Sequence, residues 1–290
     1  MNSFDVFKVM WLTVLSASLT SLPVFGISIT SPVSANDLVN VILGPDFPAV
    51  RNVTYTGAGA ARGTFDGGLA SGIGFDSGIL LSTGHASSAP GPNSSAATSQ
   101  HHNLEGDTDL DDLLGVPTFD AAVLKFEFTL SSTADLEFRY VFASEEYSEY
   151  VGGPYNDVFG FFLFTPSGDR LNLALVPGTG DRVSVNTVNP TANSQYFVNN
   201  DYDPLGSPYN LEYDGFTTVF TAQALGLTPG TYRMKLAIAD TADHLVDSAV
   251  FIQAGSFRIV PDAGGTLALM SLALGSLSWV AWRRRSDGLA

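Results

Sequence analysis

Between Asp135 and Ala143 the side chains alternate in kind. Leu136, Phe138, Tyr140 and Phe142 point one way, and Glu137, Arg139 and Val141 the other. The same period of two runs through Thr231–Ala239, where Tyr232, Met234, Leu236 and Ile238 alternate with Arg233, Lys235 and Ala237. Only an extended chain puts every second side chain on one face, so both segments predict strands with one buried face. Ala121–Leu130, Asp157–Thr165, Leu171–Val176, Thr217–Thr221 and Ser248–Ile259 read as further strands. Turn-forming clusters such as Thr165-Pro166-Ser167-Gly168-Asp169 separate them. Helical signals are confined to Asp37–Leu43, capped by Asn36 or Asp37, and a turn near Asp109–Leu114. Many strands, turn-rich connections and little helix predict an all-β fold. The expected form is an antiparallel β-sandwich, jelly-roll-like, rather than a barrel. No repeat of fixed period points to a solenoid or propeller. Gly84–Gln100 and Thr187–Pro208 are the two long loops.

The ends differ from this middle. Residues Met1 to Leu22 carry Lys8 and then an apolar run, broken by Pro23. Val33-Ser34-Ala35 offers small residues to a signal peptidase, so 1–35 reads as a signal peptide, cut after Ala35 or after Gly26. At the other end, Gly264 to Trp282 is 19 residues without a charge, followed by Arg283, Arg284 and Arg285. A helix of that length spans about 28 Å, close to the hydrocarbon core of a bilayer. The expected C-terminal transmembrane helix would leave the arginines cytoplasmic as a membrane stop and the preceding domain outside. Val260, Pro261 and Asp262 stand just before it. A short Pro-containing motif, an apolar span and a basic cluster together resemble the PEP-CTERM class of sorting signals. The nearer variant begins Val-Pro-Asp-Ser-Gly, with Ala263 here in place of the serine. That resemblance implies an exosortase-like sorting enzyme as partner, with a final location on the cell surface or in extracellular matrix. Residues 260–290 are therefore assigned to sorting and 36–259 to the domain.

Charge narrows the function. The chain has 13 basic and 29 acidic residues, a net −16. Without Lys8 and the three terminal arginines nine basic residues remain; without Asp5, Asp262 and Asp287, 26 acids remain, so 36–259 carries −17. Such a surface excludes nucleic acid, whose phosphates need a basic footprint. It meets anionic polymers only across bridging cations. Zero cysteines exclude disulfides, thiolate zinc sites and a cysteine nucleophile.

Three acidic constellations can carry chemistry. Glu145, Glu146 and Glu149 precede Asn156-Asp157 between two apolar strands, and Asp240, Asp243 and Asp247 lie between the last two. Ca²⁺ takes about 6–8 hard oxygens, so Glu145, Glu146, Asn156, Asp157, Asp240 and Asp247 are the candidate ligands of a structural Ca²⁺. The competing reading is a polar network that caps turn amides without metal. The third, Glu105 to Asp112, lacks the glycine and distal glutamate of a calcium loop and reads as a weak cation loop or a helix cap. No Gly-x-Ser-x-Gly elbow, His-Glu-x-x-His helix or phosphate loop is present. His101-His102 reads as a solvated pair, and no catalytic residue is assigned. Glu145 and Glu146 are adjacent, which does not suit a glycosidase pair.

Four blocks occur in order: Val41-Ile42-Leu43-Gly44, Gly74-Phe75-Asp76-Ser77-Gly78-Ile79-Leu80-Leu81-Ser82-Thr83-Gly84, the Ser144–Phe159 stretch, and Asp247-Ser248-Ala249-Val250-Phe251-Ile252. Together they resemble the choice-of-anchor L domain family over roughly Asn36 to Phe257. The resemblance implies an extracellular domain paired with a surface anchor, and it supplies no activity. The expectation is an exported, non-catalytic binding or structural module, with extracellular polysaccharide as a candidate ligand. The alternative is a secreted polysaccharide-acting hydrolase.

Overall fold

The computed structural model describes residues 26–261. In chain order the elements begin with β1 (Ser28–Thr30), α1 (Ala35–Ile42), β2 (Arg51–Thr56), β3 (Arg62–Asp66), β4 (Gly78–Ser82) and α2 (Thr108–Leu114). Then come β5 (Thr118–Leu130), β6 (Ala134–Ser144), β7 (Val158–Phe164), β8 (Arg170–Asn172), β9 (Phe197–Asn199) and β10 (Gly215–Thr217). The last are β11 (Phe220–Leu227), β12 (Gly230–Thr241), β13 (Ser248–Gln253) and β14 (Arg258–Pro261). They form two antiparallel sheets. One runs β1-β3-β4-β13-β6-β10-β9, with β11 and β14 also paired to β6; the other runs β2-β5-β12-β7-β8.

The alternating faces of β6 and β12 are what bring these sheets together. Phe138, Tyr140 and Phe142 from one sheet share a buried core with Phe126, Phe161 and Leu236 from the other. The Phe138 ring stacks on Phe257 at 4.1 Å and meets Phe161 edge-on at 4.2 Å. Burying one such side chain is worth about 1.5–3 kcal/mol, so the inter-sheet aromatics dominate the driving force. The all-β antiparallel sandwich follows.

Several sequence expectations need correction. Ser248–Ile259 is two strands, because the chain turns through Gly255 (φ 61°) before Phe257 enters the core. Thr217–Thr221 likewise divides between β10 and β11, and of Leu171–Val176 only Leu171 and Asn172 are strand, in β8. Helix α1 is capped by Ser34, whose Oγ accepts the Asp37 amide at 3.1 Å, not by Asn36 or Asp37. Its apolar side, Leu38, Val39 and Ile42, is fully buried. Helix α2 shows that Glu105–Asp112 is chiefly a helix cap: Asp107 Oδ1 accepts the Asp109 amide at 3.0 Å. The same acids cover Lys235, which the alternation had placed on an outward face. Lys235 is only 4% exposed, and its Nζ reaches Asp107 and Asp109 at 2.5 Å each.

At the borders, β1 pairs with β3 (Ile29 opposite Phe65), so residues before Asn36 belong to the sheet. Val260 and Pro261 lie in β14, opposite Asp135 and Ala134 of β6. The apolar leader up to Leu22, Asp262, the 264–282 span and Arg283–Arg285 lie outside the described residues. Among the described residues, no helix is long and apolar enough to cross a membrane.

Candidate functional site

The ends of β6 and β12 and the starts of β7 and β13 meet at one end of the sandwich. Register fixes this: Ser144 faces Ser248, and Val158 faces Ala239. β6 stops at Ser144, so Glu145 and Glu146 follow it in a turn where strand alternation no longer applies, and both are buried. The Glu145 amide donates to the Asp247 carbonyl at 3.0 Å, and the Glu146 amide to Ser144 Oγ at 2.9 Å.

Asp157 is the best-satisfied acid. Its Oδ1 accepts the Thr241 amide at 2.9 Å and its Oδ2 the Ser248 hydroxyl at 2.7 Å. Asp247 is held by the loop 84–100, where the Gln100 amide donates to both carboxylate oxygens at 3.1 and 3.0 Å. That carboxylate lies directly against Gly84, leaving no room for a side chain there. The Asn156 carboxamide is engaged elsewhere, its Oδ1 accepting the Asn186 amide at 2.8 Å.

The others are not satisfied. Glu145 and Asp240 are 0% and 1% exposed, and none of their four carboxylate oxygens accepts a hydrogen bond; nor does Glu146 Oε2. The Thr98 amide lies by Glu145 and the Thr83 hydroxyl by Asp240, but neither makes a well-formed bond to them. Asp240 lies beside Asp157, an arrangement that bonds only if the two share a proton. Carboxyls in this state resist ionisation. Burial, then Asp214, Glu212 and Asp247, push Glu145 up to about 10; burial, then Asp157 and Asp243, do the same to Glu146. Asp240 is raised well above its ordinary value by burial and by Asp157. Burial lifts Asp157 to about 7 against its two hydrogen bonds, and Asp247 to about 6 against the Gln100 amide. An unpartnered buried polar group costs about 1–3 kcal/mol, and more when charged. The arrangement can therefore hold protons, and it cannot present these acids to a large substrate; no three of them bring one oxygen each within 4.8 Å of the others.

Five of the six sequence-predicted ligands are thus buried at one sheet end, with Asn156 beside them but turned to Asn186. The sequence reading missed Asp120, Glu212 and Asp214, which join the same acidic region. Asp120, at φ 47°, accepts the His102 amide at 2.9 Å, and its Oδ2 lies 3.1 Å from His244 Nδ1. Glu212 Oε1 takes the Ser94 and Thr98 hydroxyls at 2.8 and 2.6 Å. His102 is not merely solvated: its Nε2 lies 3.0 Å from the Gly84 carbonyl and its ring stacks on His85.

The sequence model of the choice-of-anchor L domain matches residues 28–258, spanning both sheets and every residue of this site. The chain belongs to the choice-of-anchor L domain family. This choice-of-anchor L domain matches no curated protein. Among solved structures it is similar to TmCBM61 in complex with beta-1,4-galactotriose, at 8% identity and a TM-score of 0.34, covering 80% of this chain and 99% of that one. A likeness that distant carries no argument about fold or ligand.

Proposed function

We propose that this choice-of-anchor L protein is an exported, surface-displayed module that binds or organises extracellular material without catalysis. In it a divalent cation, Ca²⁺, is held by some of Glu145, Glu146, Asp157, Asp240 and Asp247 and offsets the charge of this sealed cluster. The observation that carries the reading is the complete burial of Glu145 and Asp240 with no hydrogen-bond donor on either carboxylate. A glycosidase needs two accessible carboxyls about 5–9.5 Å apart across a groove, and sealed groups cannot serve. An electrostatic lock needs only oxygens and a cation. Elsewhere, the open cleft lined by Glu105, Asp111 and His244 engages Asp111 in bonds from the Thr118 amide and hydroxyl, both at 2.7 Å. That use of Asp111 favours binding or structure over hydrolysis there too.

Family membership supports display outside the cell. On this reading the leader directs export, Val260-Pro261-Asp262 is read by an exosortase-like enzyme, and the apolar span with Arg283–Arg285 holds the chain in the membrane before or after sorting. Extracellular polysaccharide is the proposed ligand, an anionic one being reached through bound cations. Glycan-array binding by the full chain, with Ca²⁺ and with chelator, tests this: Ca²⁺-dependent capture without glycan cleavage is expected. Release of shortened glycans would instead establish the hydrolase.

A further inference from the structure

Three carboxylates that the sequence keeps far apart converge beside the sealed cluster. Glu149 comes from the turn after β6, Asp201 from the loop after β9, and Asp214 from the residue before β10. One oxygen from each lies within 4.8 Å of the others. Glu149 is exposed and Asp201 half-buried, whereas Asp214 is fully buried. Asp214 Oδ1 is held by the Asn93 amide at 2.6 Å, and the same Asn93 group donates to the Asn200 carbonyl at 2.9 Å. Asp214 Oδ2 accepts no hydrogen bond; the Tyr202 amide lies by this carboxyl without reaching hydrogen-bond geometry.

We infer that Glu149, Asp201 and Asp214 form a second site for a hard divalent cation of the Ca²⁺ class, at the rim of the sandwich and separate from the sealed cluster. Two oxygens of one Ca²⁺ shell, each about 2.4 Å from the ion, stand at most about 4.8 Å apart, a spacing that all three acids meet. Without an ion the arrangement is unfavourable twice over. Three like charges share one small space, and one of them is buried with an oxygen left unpaired. Burial first, then Asp201 and Glu149, push Asp214 up to about 7, against the Asn93 hydrogen bond. An all-oxygen donor set without histidine or cysteine selects hard cations over zinc or copper. Asn93 fixes the buried ligand's orientation, as an outer-shell partner does in other metal sites. The exposed side, at Glu149, leaves room for water on the ion.

The site rests on its own geometry and does not require the sealed cluster to bind metal. The test is calorimetric titration of the chelator-stripped full chain with CaCl₂, comparing wild type, the Glu149→Gln/Asp201→Asn double variant and Asp240→Asn. Both replaced acids of the double variant reach solvent, so its melting temperature in chelator should match or exceed that of wild type. The expected result is that the double variant loses one equivalent of Ca²⁺, or binds it at least 10-fold more weakly, while Asp240→Asn retains that equivalent. A double variant that binds Ca²⁺ with wild-type stoichiometry and affinity overturns the inference, as does a wild type that binds no Ca²⁺ at millimolar concentration. If Asp240→Asn alone loses Ca²⁺, the sealed cluster stands and the rim site fails.

Discussion

The Asp247 carboxylate packs so tightly against Gly84 that a Cβ there would fall 1.7 Å from its Oδ2. No real contact is that short, so the loop 84–100 reaches the start of β13 only because position 84 has no side chain. The same loop supplies the Gln100 amide that holds Asp247. One glycine therefore ties a surface loop to the buried acids.

Gly84→Ala should lower stability by about 1–3 kcal/mol, the usual cost of overpacking a closed site. In a domain of this size that is a fall of roughly 2–12 °C in melting temperature. Calorimetry checks it, and Gly178→Ala is a useful contrast because a Cβ there meets no atom within 4 Å, leaving only the cost of its φ of 75°.

Lys235 presents an opposite case, a buried cation with two acids. Removing one partner of a buried pair strands the other charges, so Lys235→Ala should cost about 3 kcal/mol, with Lys235→Met milder. Burial raises Asp109, but the Lys235 and Arg170 contacts outweigh it and hold its carboxyl below the usual range. A depressed acid contributes stability above its unfolded pKa and loses it as pH falls. Wild type should therefore shed some stability on acidification that Lys235→Met does not. Urea midpoints at pH 3.5 and pH 6 measure this.

The sealed cluster carries the opposite sign. Asp247 and Asp157 titrate near 6 and 7 in the fold, against about 4 in an unfolded chain. Between those values the folded state holds more protons, so stability falls as pH rises. In chelator the urea midpoint should be lower at pH 7.5 than at pH 5, with Ca²⁺ closing most of the gap. A higher midpoint at pH 7.5 in chelator would rule out this sign.

Much of the fold is legible in the residue pattern, for a physical reason. β6 and β12 each turn one face to the core, and half-burial writes itself as alternation. β4 does not alternate because Gly78–Ser82 is buried on every side. β2, at the sheet edge, alternates only at Val53 and Tyr55, which half-bury against the core, and that run is too short to read as a strand. The acids flanking β7 and β13 announce themselves as runs between apolar strands. Asp120 does not, because it stands alone among apolar residues, and the short Glu212-Tyr213-Asp214 pair lies in a turn-rich loop and meets the other acids only when distant segments come together. Lys235 misleads in the other direction: the alternation is real, but α2 covers the outer face.

The N-terminal border gives a further expectation. β1 pairs with β3, the Ile27 amide donates to Ser71 Oγ at 2.8 Å, and Ser34 caps α1. Cleavage after Ala35 would discard all three, so the mature chain is expected to begin at Ile27, after Gly26. Mass spectrometry of the exported protein decides between the two, and a chain starting at Asn36 should melt several degrees lower.

The most direct test of the cation lock is the melting temperature of the full chain carrying Glu149→Gln and Asp201→Asn, which silence the rim site. A ligand at 100 times its Kd stabilises by about 2.7 kcal/mol, roughly 5–10 °C here. Added Ca²⁺ should raise the melting temperature of the chelated protein by that amount, and Asp157→Ala or Asp240→Asn should abolish the response. Superimposable melting curves in chelator and in Ca²⁺ would contradict the lock and leave the buried acids as protonated caps of the strand ends.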